Sequence, residues 1–341
     1  MTSFAWAMML IVTVHALVFH AMPRFSRPDI LFAVTVPDAF VRGAGRALVS
    51  RYRLIVWSGA AAALAIGLLL PASWFSADRV GFVMMSVMAG NMLVAASAWL
   101  WAHRRARAHA VPHADTRVAS LVPRDTSLPG GALFAGGPFV ILVATTMVVW
   151  MHWDQFPPRP RPLGPFGPLA MGAVYVMMML TLAMSLARRT RQISTDGLAA
   201  AAEQRFLRVN VFVLVLAGYG TAIMLSTAAL EAIPSFAGMS SKIWLAMLPI
   251  MLFNFGVAVW MLRVGQGGQR TIAPAGREIR GDATPDRAWK AGGLFYFNPK
   301  DPAIWVEKRV GFGYTLNMGN VGAWVLISMM LVPVFAARLF F

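Results

Sequence analysis

Apolar runs of about 20 residues recur along the chain near 4–22, 54–75, 80–102, 131–153, 168–187, 209–232, 243–262 and 319–339. Each is long enough, as a helix, to cross a hydrocarbon layer about 30 Å thick. The pattern predicts an all-α integral membrane protein of eight transmembrane helices. The first run has no basic segment before it and no small-residue cleavage site after it, so it is expected to be a helix rather than a signal peptide. Polar positions gather between the runs, and the stretch from Gly281 to Asn320 is the densest in turn residues, aromatics and charges together. It is expected to form a small cytoplasmic αβ module between helices 7 and 8. The domain division that follows is a seven-helix membrane region at 1–263, a hinge and module at 264–318, and a last helix at 319–341.

Local signals fill in this outline. Thr284 is a candidate N-cap with Pro285 at the first helical position, and Gly292 and Gly293 are placed to stop that helix after Lys290. LFYFN and AIWVEKR are β-prone runs joined by PKDP, which predicts a hairpin. Lys308 and Arg309 are expected to face lipid phosphates, and Phe295, Tyr296, Phe297, Trp305 and Tyr314 to settle into the membrane interface. RVGQGGQR at 263–270 reads as a glycine-rich hinge. In the first loop, LFAVTVP at 31–37 reads as extended, after which Asp38 can cap a basic helix running through Arg42 and Arg46 into the second span. That span carries SGAAAALAIG at 58–67, small side chains that let helices approach closely, and belongs inside the bundle. Thr195 or Asp196 can cap an Ala-rich helix that continues straight into the sixth span.

Composition agrees with the membrane class. The chain is 58% hydrophobic and 13% charged, where soluble domains have about 45–50% and about 25%. It has no cysteine, which excludes disulfides, thiolate metal sites and cysteine nucleophiles. The net charge of +16 is distributed by loop. The first loop holds Arg24, Arg27, Arg42, Arg46, Arg51 and Arg53, and the third runs from Arg104 to Arg124. With the fifth, from Arg188 to Arg208, and the seventh, from Arg263 to Arg309, these loops contain every Lys and Arg except Arg79, Arg159, Arg161, Lys242 and Arg338. By the positive-inside bias, the odd loops are cytoplasmic and both termini lie outside a bacterial inner membrane. Anionic lipid accounts for the basic excess, and no nucleic-acid partner is expected.

Candidate chemistry is sparse. Glu231 is the one acidic residue set clearly within an apolar run, where a carboxylate is costly and so a candidate for function, or for anchoring at the headgroups. Asn91 and Asn254 lie nearer mid-membrane and can hydrogen-bond between helices or line a path. At the external interface, His152 and Asp154 can sense pH, relay protons or anchor the helix end. Met84, Met85, Met88 and Met92 recur at helical spacing, which suits packing better than a thioether metal ladder. His103, His109 and His113 read as part of a solvated basic loop, since Pro112 breaks any helix that would pair them. GAGRAL at 43–48 lacks the strand–turn–helix context of a phosphate loop, and no nucleotide-binding, hydrolase or zinc-protease motif occurs. Neither an enzyme nor a metal or cofactor is expected.

The run TPD, WK, LFYFNPKDPAIWVEKR, GFGYTLN resembles the C-terminal module, a domain of unknown function of the 1648/5808 type, of multi-pass bacterial membrane proteins. There the pattern is TPD-x-x-WK, YYNPDDP, EKR and GxGYTLNF-x-N. In this sequence the module residues of interest are Trp289, Lys290, Tyr296, Asn298, Asp301, Trp305, Lys308, Arg309, Tyr314 and Asn317. LFAVTVP with SRYRLIV, HWDQFP, PFGPLAMG, RFLRVNVF and RVGQGGQR agree with the same proteins. Their companion region is similar to SdpI-like toxin-immunity and signalling proteins, whose external HWDQLP loop is followed by a second P-x-H-W/F segment. Here only PRPRPLG separates HWDQFP from PFGPLA, so the second histidine is missing.

Together these features imply a sensing, scaffold or immunity-type membrane protein whose helical bundle is coupled to a protein partner on the cytoplasmic face. The alternative is a secondary transporter or channel for a small solute or ion, with a polar path near Glu231, Asn91 and Asn254.

Overall fold

The computed structural model describes residues 3–69, 79–111, 125–156, 164–189, 197–272 and 284–340. The expectations for Pro112 and His113, for the proline-rich 157–163, for Thr195 and Asp196, and for the linker at 273–283 lie outside the described residues. The helices are α1 (Ser3–Ala21), α2 (Asp38–Arg42), α3 (Ala44–Leu69), α4 (Val80–Arg107) and α5 (Gly131–Met151). They continue with α6 (Gly167–Ala187), α7 (Gly197–Glu231), α8 (Ile243–Val264), α9 (Gln269–Ile272) and α10 (Val321–Phe340). Seven of them, α1 and α3 to α8, are long and apolar enough to cross a membrane. The eighth expected run lies in α10, whose apolar part with described side chains is the shorter Val321–Leu331. The Ala-rich segment does continue unbroken into its span as the 35-residue α7.

The chain divides into two units. One comprises Met1–Arg117, Glu278–Phe297 and Glu307–Thr315. In it α1 packs along α3, and α3 along α4. Small residues set the approach: a Cβ on Gly59 would stand 2.6 Å from Val94 Cγ1, and Ala60, Ala63 and Gly67 are buried. Two short antiparallel ribbons join these helices. β1 (Ile30–Leu31) pairs with β2 (Val34–Thr35), in the register Ile30↔Thr35. β3 (Trp289–Lys290) pairs with β4 (Phe295–Tyr296), in the register Trp289↔Tyr296.

The other unit comprises Val118–Arg277, Asn298–Val306 and Leu316–Phe341. Here α7 packs on α5, α6 and α8, and α10 lies on α6. Thr145 Oγ1 donates to Ser226 Oγ at 3.0 Å between α5 and α7. Tyr219 Oη donates to the Phe134 carbonyl at 2.6 Å, in space that the missing side chain of Gly137 leaves open. A further ribbon, β5 (Trp305–Glu307) with β6 (Tyr314–Leu316), lies where the chain passes from one unit to the other.

Several local expectations are corrected. Pro285 precedes a 3-10 turn at Asp286–Ala288 rather than starting a helix, and the chain then turns extended at Trp289. LFYFN and AIWVEKR do not pair with each other: Phe295–Tyr296 pairs back to Trp289–Lys290, and Trp305–Glu307 pairs forward to Tyr314–Leu316. The basic helix after Asp38 stops at Gly43 before α3 begins, with no side-chain cap at its start. RVGQGGQR forms a closed turn. Val264 to Gln269 are all buried, Gly265, Gly267 and Gly268 have positive φ, and Arg270 Nη1 caps the Leu262 carbonyl. A Cβ on Gly268 would meet the Ala202 carbonyl oxygen of α7 at 3.1 Å, so only glycine lets the turn lie so close.

Candidate functional site

The β1–β2 ribbon turns through Phe32 and Ala33, both at positive φ (49° and 64°). Two-residue ribbons favour such turns because they match strand twist, but the positions normally hold Asn or Gly. A side chain there costs about 1–2 kcal/mol per residue. What offsets the cost is where the tip goes. Phe32 is wholly buried, with its ring 5.1 Å from Tyr52 of α3 and 5.1 Å from Trp99 of α4. The tip carbonyls are also bonded. His103 Nδ1 lies 2.8 Å from the Phe32 oxygen; a carbonyl can only accept, so Nδ1 carries the proton. Arg309 Nη1 donates to the Ala33 oxygen at 3.0 Å.

Arg309 is the centre of the arrangement. Its side chain is fully buried, and Nη1 also meets Asp286 Oδ1 at 2.5 Å. Nη2 donates to the Thr284 carbonyl at 2.5 Å, and the guanidinium lies over the Trp289 ring at 5.4 Å. Asp286 accepts in turn from Thr35, at its backbone nitrogen (3.2 Å) and its hydroxyl (3.0 Å). A second buried pair stands alongside: Arg27 Nη2 meets Glu307 Oε2 at 2.5 Å, with side-chain exposures of 2% and 1%. Ser26 Oγ donates to the Arg309 carbonyl at 2.6 Å. The glycines close the lid on the ribbon tip. Trp99 Nε1 donates to the Gly292 carbonyl at 2.8 Å, and a Cβ on Gly293 would land on the Cβ of Ala33. We call this body of the unit the head: residues 26–36 after α1 held to 284–297 and 307–313 by two cations and two carboxylates.

In the other unit the C-terminal residues form a turn around Asn317, which is wholly buried. Its Nδ2 donates to the carbonyls of Asn298 (2.9 Å), Asp301 (3.0 Å) and Ala303 (3.2 Å). Its Oδ1 accepts from the backbone nitrogens of Asn298 and Gly319, both at 3.0 Å. A Cβ on Gly319 would come within 2.5 Å of the Asn298 carbonyl carbon. Asp301 Oδ1 accepts from Ala303 N at 3.0 Å, and Asn320 Oδ1 from Gly322 N at 2.8 Å at the start of α10. Trp305 Nε1 reaches Ser185 Oγ of α6 at 2.9 Å.

The residues singled out in the sequence thus fall into separate places. Trp289, Tyr296 and Arg309 are brought together in the head, while Asn298, Asp301 and Asn317 are brought together in the turn before α10. Arg309 does not face phosphate, and Tyr296 and Tyr314 are buried rather than set in a membrane interface. Lys290 and Lys308 remain exposed, and Phe295 and Phe297 are about half exposed. His103 is a helical residue of α4 that holds the ribbon tip, not part of a solvated loop; His109 stacks on Phe40 with centroids 4.2 Å apart.

Asn91 belongs to the first unit, and Glu231 and Asn254 belong to the second. Asn91 Nδ2 contacts His15 Nδ1 at 2.9 Å, a bond between α4 and α1. It also lines an apolar cavity of about 390 Å³ between α3 and α4. Asn254 donates to the Ile250 carbonyl of its own helix at 2.9 Å. Glu231 accepts from the backbone nitrogens of Gly238 (2.9 Å) and Ser240 (2.8 Å), bracing the turn into α8. His152 Nδ1 bonds the Val148 carbonyl at the end of α5 and its ring meets Phe236, while Asp154 is exposed in the following 3-10 turn. Among the described residues no group of three or more His, Cys, Asp or Glu is placed to hold a metal ion.

Ser26, Arg27, Thr35, Thr284, Asp286 and Glu307 were missed as site residues. Arg27 looks like any other arginine of a basic loop, and only its pairing with Glu307 some 280 positions away distinguishes it. The chemistry the head offers is structural. Removing one partner of a buried ion pair typically costs about 3–5 kcal/mol, because the other charge is left in low dielectric.

A family model described as "Family of unknown function (DUF5808)" matches residues 299–324. These residues hold most of the Asn317 turn and the start of α10, so the match supports the resemblance at the C-terminal domain. No curated protein and no solved structure matches the chain.

Proposed function

We propose that this chain is a membrane-embedded scaffold or sensing protein of the immunity type, whose head docks a protein partner. The observation that carries this reading is the burial of Arg309 between the Ala33 carbonyl and Asp286. The guanidinium is satisfied only while the first loop and the C-terminal segment are together, and the same contacts reach α3 and α4 through Phe32, His103 and Trp99. A shift among these helices therefore changes the head, and a partner holding the head changes the helices. The exposed Lys290 and Lys308 give a partner charges to read.

The head also supports an orientation. Ser26 and Arg309 belong to one body, so the chain between them passes through the membrane an even number of times, and α3 to α8 supply six crossings. With the positive-inside bias, the head lies on the cytoplasmic face of a bacterial inner membrane beside anionic lipid, and α10 makes the eighth crossing. The SdpI-like patches favour immunity or signalling over transport.

The test is co-purification from the native membrane with the full-length, affinity-tagged chain. Arg309→Gln should lose most of a partner that the unaltered chain retains, while still inserting. Recovery of the same partner in the same yield overturns the reading.

A further inference from the structure

A second polar group lies on α1 and α3, and none of the head bonds described above involves it. His20 is in the last turn of α1, Arg24 ends the 3-10 turn that follows, and Arg53 and Trp57 are one turn apart on α3. Arg53 Nε donates to the His20 carbonyl at 3.3 Å, and Trp57 Nε1 to His20 Nδ1 at 3.2 Å. An indole N–H only donates, so Nδ1 accepts and the neutral imidazole keeps its proton on Nε2. Nε2–H is thus left as a donor. Arg53 is bonded through Nε, and its two Nη groups make no hydrogen bond among the described residues. Arg24 is exposed at the end of the 3-10 turn that follows His20 and Ala21. The donors left on Arg53 and His20 suit an oxyanion, and the exposed guanidinium of Arg24 adds positive charge at the same end of the α1–α3 pair.

The depth of the group selects the kind of anion. On α1 the lipid-facing side chains Leu17 and Val18 are about half exposed, and on α3 the exposed apolar residues begin at Leu54 (67%). Arg24 and Arg53 therefore stand where apolar exposure gives way to charge, with Trp57 one turn into the apolar side. That is the level of phospholipid headgroups, where Trp is favoured for its amphipathic ring. A free phosphate offers the same oxyanion but has no use for the apolar surface beneath.

We propose that His20, Arg24, Arg53 and Trp57 bind the phosphate of an anionic glycerophospholipid at the end of the α1–α3 pair. Arg24, Arg53 and His20 Nε2–H donate to the phosphate oxygens, Trp57 packs against the glycerol, and the acyl chains run along Leu54 and Val18. The site goes beyond the general attraction of basic loops to anionic lipid, and it does not depend on what the head docks.

The test uses the delipidated full-length chain in neutral detergent, titrated with phosphatidylglycerol, with phosphatidylcholine and separately with inorganic phosphate, and read by native mass spectrometry. Phosphatidylglycerol should bind in preference to phosphatidylcholine. The Arg24→Gln/Arg53→Gln pair should weaken it about tenfold or more, at about 1 kcal/mol per basic residue near a headgroup. The charge-matched Arg104→Gln/Arg105→Gln pair on α4 should leave binding nearly unchanged. Equal loss in the two pairs overturns the proposal in favour of bulk charge, as does equal binding of the two lipids. Inorganic phosphate binding that depends on Arg24 and Arg53, without a matching lipid response, also overturns it. If the double variant does not survive purification, Arg24→Gln alone, with its melting temperature checked against the unaltered chain, should still weaken phosphatidylglycerol selectively; no change then overturns the proposal.

Discussion

Ala33 and Gly293 face each other where the two ribbons of the head meet, and each has a backbone that suits glycine. Ala33 sits at φ 64° and Gly293 at φ 87°, with no room for a second Cβ between them. Gly293→Ala adds left-handed strain of about 1–2 kcal/mol and overpacking of about 1–3 kcal/mol, so a loss of roughly 2–5 kcal/mol is expected. Ala33→Gly alone should stay within about 1 kcal/mol of the unaltered chain, because relief of strain is set against chain entropy and a lost buried methyl. In the double variant the clash is gone, and at least about 1 kcal/mol should return relative to the sum of the single changes. Denaturant unfolding in detergent measures this cycle, and strict additivity would show that the two positions do not meet. Little of this was legible in the sequence. The glycines at 292 and 293 announce a turn, but Phe32 and Ala33 do not. Their conformation is imposed by the aromatic slot of Tyr52 and Trp99 and by the donors His103 and Arg309, all distant along the chain.

At the scale of elements, the apolar runs were readable because about 20 residues of helix and a hydrocarbon layer have the same length. The short ribbons were not, since strands of two or three residues carry too little alternation to identify their partners. PKDP drew attention as a hairpin loop, yet its neighbours pair in opposite directions and its residues instead build the Asn317 turn. Family resemblance marked that turn without its reason. The side-chain amide of Asn317 closes backbone groups that would otherwise be buried and unbonded at the entry to α10. Asn317→Asp keeps the shape but replaces a donating amide with an acceptor facing three carbonyls; Asn317→Ala leaves those groups open, each at a cost of about 1–3 kcal/mol. Both changes should loosen the start of α10 while sparing α3 and α4. Amide hydrogen exchange should show faster exchange at Gly319 to Ala323 and unchanged exchange in α3. Uniform protection in the Asp variant would mean that the amide is not what holds the turn.

For the whole molecule, the decisive relation joins the ends of the sequence. The buried pair Arg27–Glu307 and the Thr35–Asp286 hydrogen bond lie within one unit although about 250 to 280 residues separate their partners. No local pattern foretells such closure, but it constrains how often the intervening chain crosses the bilayer, and so bears on a topology otherwise argued from charge alone. On the proposed orientation Lys290 and Lys308, exposed on the head, face the cytoplasm, and Ala237, exposed in the turn between α7 and α8, faces outward. The chain has no cysteine, so Lys290→Cys, Lys308→Cys and Ala237→Cys each place a single thiol without background. A membrane-impermeant maleimide added to intact cells should label Ala237→Cys at once, and the two head positions only after permeabilisation. The reverse pattern would invert the protein in the membrane. Labelling of all three positions from the same side would leave an odd number of crossings between Ala237 and the head unsupported and remove α8 from the spans. Because the head fixes residues 26 and 309 to one side, either result would bear on every crossing between them, and not on α8 alone.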